Sequence, residues 1–185
     1  MEMIICGDRT FLRNHGATVV GRGYHIALSR EHAKRLFGQK DDENLRKFLD
    51  ELIADPGMKK SGRLFDSGVH WDALHRCLTE GELDPAGGEF PLNHVVLGGK
   101  QLHQGGDYAA ALVRPDMTNF VADAIGELEE ENLRKSFFGL PASYKGPKDE
   151  KAFMAVWLCL QNLKDFYDAA AENLEAVVFT AKYAS

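Results

Sequence analysis

Trp71 and His75 stand four residues apart, and residues 66–79 also hold Asp66, Asp72 and Arg76. An imidazole titrates near neutral pH, which suits His75 to general acid–base work. Asp66 or Asp72 would orient it, and the Trp71 indole would stack a planar substrate group. On a helix beginning near Ser67, the four-residue spacing puts Trp71 and His75 on one face. Asp72 and Arg76 share that spacing, in the order that forms a helical ion pair of about 0.2–0.5 kcal/mol. Asp66 or Ser67 is suited to cap the first turn. A second reading stands beside this one. A Trp and a His on the inner face of a helix also serve as a packed indole and a hydrogen-bonded core imidazole. The two readings part on whether the rings border a hollow or fill the interior.

A second polar group follows downstream. His94 and His103 flank Gly98 and Gly99, and Asp107 follows Gly105 and Gly106. Such glycines let a backbone come close to a ligand, and they equally form turns. The candidate binding residues are therefore Trp71, His75, His103, Asp107, Gly98 and Gly99; the catalytic candidates are His75, Asp72 and Asp66. Cys77 lies beside Arg76, but adjacent helical residues diverge, so a buried, unreactive thiol is expected. His25 sits in a strand pattern and receives no role.

Known chemical signatures are missing from the chain. Lys100 follows Gly98 and Gly99 without the upstream glycine and downstream Ser/Thr of a phosphate loop. Gly16, Gly21 and Gly23 do not space as a dinucleotide turn, and no serine lies in a G-x-S-x-G elbow. His70 and His75 are five apart, about 140° around a helix, unlike the i, i+4 pair that binds zinc. Neither a metal site nor a cofactor is expected.

These groups must be positioned by a chain of ordinary globular make-up. Apolar residues are 44% and charged residues 27% of 185, enough for one domain with a sizeable core. The formal charge of −6 is mixed along the sequence and leaves no basic face for nucleic acid. Cys6, Cys77 and Cys159 are odd in number and far apart, which fits a reducing compartment. No apolar run reaches the roughly 18–20 residues of a membrane span, and residues 1–6 lack a basic flank for a secretory signal. A soluble, cytoplasmic protein is expected, with no membrane association.

Residues 3–6 and 17–20 read as short strands or as an N-terminal extension over 1–20. Residues 24–28 alternate as a strand, Ser29 caps a helix to Phe37, and Gly38 closes it. Leu45, Phe48, Leu49, Leu52 and Ile53 mark a second helix from Asp42 to the Asp55-Pro56-Gly57 stop. A polar link over 58–62 leads to a strand at 63–65 and then the stretch with Trp71. Residues 80–89 read as an acidic surface loop, 90–97 as a short helical turn, and 105–113 as a strand. Pro115 opens a helix, and a short one follows over 127–138. Phe153, Val156, Trp157, Leu160, Leu163, Phe166, Tyr167, Ala170 and Leu174 keep helical period in a long helix from Lys148, before a last strand at 175–181. The fold class is mixed α/β. One compact domain over 21–185 holds a small central sheet of four to five strands packed with helices, and the long helix precedes the final strand.

In that light the chain resembles the YfbM-like family, small bacterial proteins carrying a domain of unknown function. The resemblance rests on Gly-Tyr-His-Ile-Ala-Leu-Ser at 23–29, on the Trp-Asp-x-Leu-His-x-x-Leu-Thr pattern at 71–79, on Val-Leu-Gly-Gly at 96–99, and on Val-Arg-Pro at 113–115. Leu133 and Arg134, with the long helix and last strand, extend it over residues 21 to 181. The Trp-to-Thr pattern is its specific part. It implies an α/β fold and a bacterial cytosolic origin, and it supplies no catalytic residues to carry over. Glu80 stands where the family usually has a glycine, and residues 1–20 are extra or rearranged at the start.

Two functions follow from the residues. One is a non-catalytic binding or interaction module, such as a neutralising protein in a conflict system. Its partner would be a basic protein, steered by the acidic loop, or a small polar ligand. The other is a hydrolase or transferase acting on a small polar molecule, with Trp71, His75 and an Asp in its pocket.

Overall fold

Alternation along the strands sets the architecture. The structure, a computed structural model, describes residues 20–103 and 105–183. Within them five strands form one sheet: β1 (Val20–Leu28), β2 (Leu64–Gly68), β3 (Lys100–Gln101), β4 (Tyr108–Val113) and β5 (Ala176–Tyr183). Their order is β2-β1-β5-β4-β3 and every neighbouring pair is antiparallel, so the last strand of the chain is the central one. Side chains of a strand point to opposite faces in turn. Ala176 and Val178 of β5 thus join one core cluster with Tyr108, Ala110 and Leu112. Val177, Phe179 and Ala181 join the other with Ala109 and Val113. A central strand buried on both faces reads as a nearly continuous apolar run, which residues 176–181 supply.

Helices cover both faces. On one lie α1 (Arg30–Phe37), α2 (Asp42–Ala54) and α3 (Pro56–Lys60), whose Leu36, Leu45, Phe48, Leu49, Leu52 and Met58 pack on Ile26 and Leu28. On the other lie α4 (His70–Leu78), α5 (Thr118–Gly126), α6 (Glu130–Phe138) and α7 (Glu150–Glu172). Side-chain oxygens start several of them. The Ser29 hydroxyl accepts from the His32 N–H, Asp41 from Asn44, Asp55 from Gly57 and Asp149 from Ala152. No helix among the described residues is long and apolar enough to cross a membrane.

The sheet, the long helix and the final strand agree with the sequence reading; several boundaries differ for local reasons. Asp55 and Pro56 stop α2 and also start α3, because Pro lacks only an N–H that a first turn leaves unpaired. The polar link that the sequence suggests over 58–62 is therefore helical as far as Lys60. Gly38 ends α1 with φ −82°, so the left-handed freedom of glycine is unused. α5 begins at Thr118, whose hydroxyl donates to the Pro115 carbonyl at 2.9 Å, rather than at Pro115. Leu174 is exposed with φ 53° after the end of α7, and so leaves the apolar stripe it was assigned to. Of the expected strands in 1–20, all but Val20 lie outside the described residues.

Candidate functional site

Residues Trp71 to Leu78 of α4 are all buried. The helix is wedged between the sheet and α6 and α7. Neither Asp66 nor Ser67 caps it. Val69 occupies the cap position without a side-chain bond, the Asp66 carboxylate accepts from the Gly68 N–H at 2.8 Å, and the Ser67 hydroxyl donates to the Gly23 carbonyl at 2.9 Å.

The structure places Trp71 and His75 in the interior, 0% and 1% exposed, not beside a hollow. The Trp71 indole N–H donates to the Gly21 carbonyl at 2.9 Å, and the ring packs on Phe179 and Tyr183. His75 Nε2 donates to the Asp84 carbonyl at 2.9 Å, and its buried Nδ1 has no partner. Burial pushes the His75 pKa down, against the smaller upward effect of the Asp84 carbonyl. The two carboxylates named with it are engaged elsewhere. Asp72 Oδ1 accepts from Arg76 Nε at 2.6 Å inside the protein, and Asp66 pairs with Arg22 at the surface. Arg76 also donates to the Gly81 carbonyl and the Ser143 hydroxyl, both at 3.1 Å, so it ties two loops to α4. Cys77 is buried, and burial raises its thiol to about 12. That is the unreactive state expected for it.

The concave surface lies on the opposite face of the sheet. On the side covered by α1–α3, the three central strands read from apolar to polar in one direction. β1 runs Leu28, Ile26, Tyr24, Arg22; β5 runs Ala176, Val178, Thr180, Lys182; β4 runs Leu112, Ala110, Tyr108. The helices pack on the apolar end. At the polar end a cleft of about 370 Å³ remains, lined by Gly21, Arg22 and Tyr24 of β1, Tyr108 of β4, Thr180 to Lys182 of β5, and Asp50 and Ile53 of α2. Asp50 and Lys182 meet across it at 3.2 Å.

Two hydroxyls in its wall are unsatisfied. Tyr108 and Thr180 are 3% and 1% exposed, and neither hydroxyl meets hydrogen-bond geometry with any partner, although the two lie close enough to act on one another. Burial pushes the Tyr108 phenol up to about 12. Buried polar groups are nearly always paired, and an orphaned one costs about 1–3 kcal/mol.

Half of the second polar group gathers behind this wall. Arg46 lies 5.0 Å from the Tyr108 ring centre, donates to His103 Nε2 at 2.9 Å, and pairs with Asp107 at 2.5 Å. On the other side of the His103 ring, Nδ1 lies 3.0 Å from the Gly105 amide nitrogen and 3.1 Å from the Gly105 carbonyl oxygen. His103 and Asp107 thus come together through Arg46. Gly98 and Gly99 do not join them. A Cβ on Gly98 would lie 2.4 Å from the Asn93 carbonyl oxygen, and Gly99 has φ +93° with the Leu112 oxygen as near, so both serve the turn into β3. Sequence reading passed over Arg22, Tyr24, Asp50, Tyr108, Thr180 and Lys182. The signal was the polar drift along alternate residues of three strands, which shows only once their pairing is known.

The model of a protein family described as a domain of unknown function (DUF1877) matches residues 21–180. The chain belongs to that family. The DUF1877 span begins and ends in the cleft wall, with only Ala181 and Lys182 of the lining beyond it. Among solved structures, the chain is similar to YfbM from Escherichia coli, described as a protein of unknown function. The TM-score is 0.66 at 22% identity, over 86% of this chain and 99% of that one. This likeness concerns the fold. No curated protein matches.

Proposed function

We propose that this DUF1877 protein is a non-catalytic binding module of the bacterial cytoplasm that takes a small polar ligand in the cleft between α2 and strands β1, β5 and β4. The observation that carries the proposal is the pair of unpartnered hydroxyls, Tyr108 and Thr180, in the wall of a cleft of about 370 Å³. That volume lies in the lower part of the range of about 300–1,000 Å³ usual for small-molecule sites. A catalytic reading centred on His75 draws no support from a ring that is enclosed and bonded to a backbone carbonyl.

A screen of small polar metabolites for thermal stabilisation tests the proposal. Stabilisation by at least one compound, lost in Thr180→Val and in Tyr108→Phe, is the expected result. A screen with no compound whose effect depends on either hydroxyl would sink it.

The acidic loop supports a second reading. Glu80, Glu82, Asp84 and Glu89 are exposed on residues 79–89, a surface suited to steering a basic protein partner. Partner capture that does not weaken as salt rises, or that survives charge reversal of Glu80, Glu82 and Glu89, would remove it.

A further inference from the structure

We infer that the ligand of the cleft is a small zwitterion, an amino acid or short peptide, with its carboxylate held by Arg22 and Lys182 and its ammonium by Asp50. This rests on the reading of the cleft as a binding site and adds the class of molecule that fills it.

The charges in the wall decide the class. The chain carries −6 overall, yet the cleft lining holds two cations and one carboxylate. Arg22 and Lys182 come from neighbouring strands: Gly23 pairs with Ala181, and Gly21 sits against the Lys182 backbone. Asp50 faces them from α2. A simple anion would meet Asp50 unopposed, and a simple cation would meet Arg22 and Lys182. A neutral polyol can hydrogen-bond to all three but neutralises none of them. A molecule with both charges satisfies each end of the cleft.

The ion pairs that hold these groups cost little to exchange. Lys182 and Asp50 are 65% and 49% exposed at their side chains, and ion pairs this exposed contribute little, so a ligand can replace them readily. Arg22 pairs with Asp66 in a similarly open position. A ligand carboxylate on a guanidinium forms the stronger, charge-assisted kind of bond. The Tyr108 phenol is a hydrogen-bond donor, and Thr180 can donate or accept.

The test is calorimetric titration of the full chain with the free amino acids, simple dipeptides, and the N-acetyl and C-amide form of each, beside a set of neutral polyols and small dicarboxylates. At least one free amino acid or dipeptide is expected to bind, and capping either end to weaken it about tenfold or more. Asp50→Asn is expected to remove the penalty for N-acetylation, and Lys182→Met to reduce the penalty for amidation. Equal binding of capped and free forms overturns the inference. So does binding only of polyols or dicarboxylates lost in Tyr108→Phe, which would leave the cleft as a site for another class. If no compound of any class binds, both the inference and the reading beneath it fall.

Discussion

Arg76 Nε donates to Asp72 Oδ1 at 2.6 Å with both side chains less than a tenth exposed, one turn apart on α4. By spacing alone this is the weak surface pair of a helix. Enclosure changes its energetics, because removing one partner strands a buried charge at a cost of about 3–5 kcal/mol. Asp72→Asn and Arg76→Met should each lower the unfolding free energy measured in urea by an amount in that range. The double variant Asp72→Asn, Arg76→Met should cost less than the sum of the two singles, since it strands no charge. Additive losses would show that the pair is not coupled.

The cleft hydroxyls make the opposite forecast. A buried hydroxyl without a partner has given up its water and gained nothing, so its removal relieves a penalty. Thr180→Val keeps the side-chain shape and should leave stability unchanged or raise it by up to about 1 kcal/mol, and Tyr108→Phe likewise. Residues that weaken the resting fold are those a ligand repays. Chemical denaturation of each variant checks this, and a loss above about 1 kcal/mol would mean that the hydroxyl is already bonded in the free protein.

What the sequence made legible followed from local rules. Ser29 and Gly38 bracket α1, and the period from Phe153 to Ala170 marks α7, because caps and helical faces are set within a few residues. The two-residue strand β3 and the whole burial of α4 were not legible, since both depend on chain elements far away. His75 could be placed on a face with Trp71, yet nothing local says that this face meets α7 and the sheet instead of solvent. The cleft was hidden for the same reason. Tyr24, Tyr108, Thr180 and Lys182 lie on three strands as much as 158 positions apart between Tyr24 and Lys182, and only the antiparallel register brings them onto one surface.

Gly23 gives a prediction about the link between the two faces. A Cβ there would lie 2.5 Å from Trp71 Cδ1 and 2.8 Å from Phe179 Cε2, so the missing side chain is what admits the indole. Trp71 in turn holds the Gly21 carbonyl at the edge of the cleft. Gly23→Ala should destabilise by about 1–3 kcal/mol, the usual cost of overpacking, and should shift Trp71 fluorescence toward the red. It should also weaken any cleft ligand, an effect a purely local fault would lack. An unchanged melting temperature would show that the indole can move aside.

His25 supplies the pH prediction. Its ring is fully buried in the middle of β1, surrounded by Phe65, Phe166, Tyr167 and Phe179, and Nε2 donates to the Val95 carbonyl at 2.9 Å. Burial pushes its pKa down to about 4, with the Val95 bond acting the other way. In the unfolded chain a histidine titrates near 6.5, so between pH 6.5 and 4 the unfolded state binds a proton that the folded state refuses. Stability is therefore full above pH 6.5 and falls as pH falls through that window. The total loss is about 3 kcal/mol below pH 4, of which about 2 kcal/mol is gone by pH 5. His75 acts in the same direction, because burial lowers its pKa too. Urea midpoints between pH 7 and pH 5, above the range where most carboxylates titrate, isolate the histidines. His25→Gln keeps a donor for Val95 and should flatten this slope while lowering stability at pH 7. A slope identical to that of the parent protein would mean that the buried imidazole accepts its proton without unfolding the sheet around it.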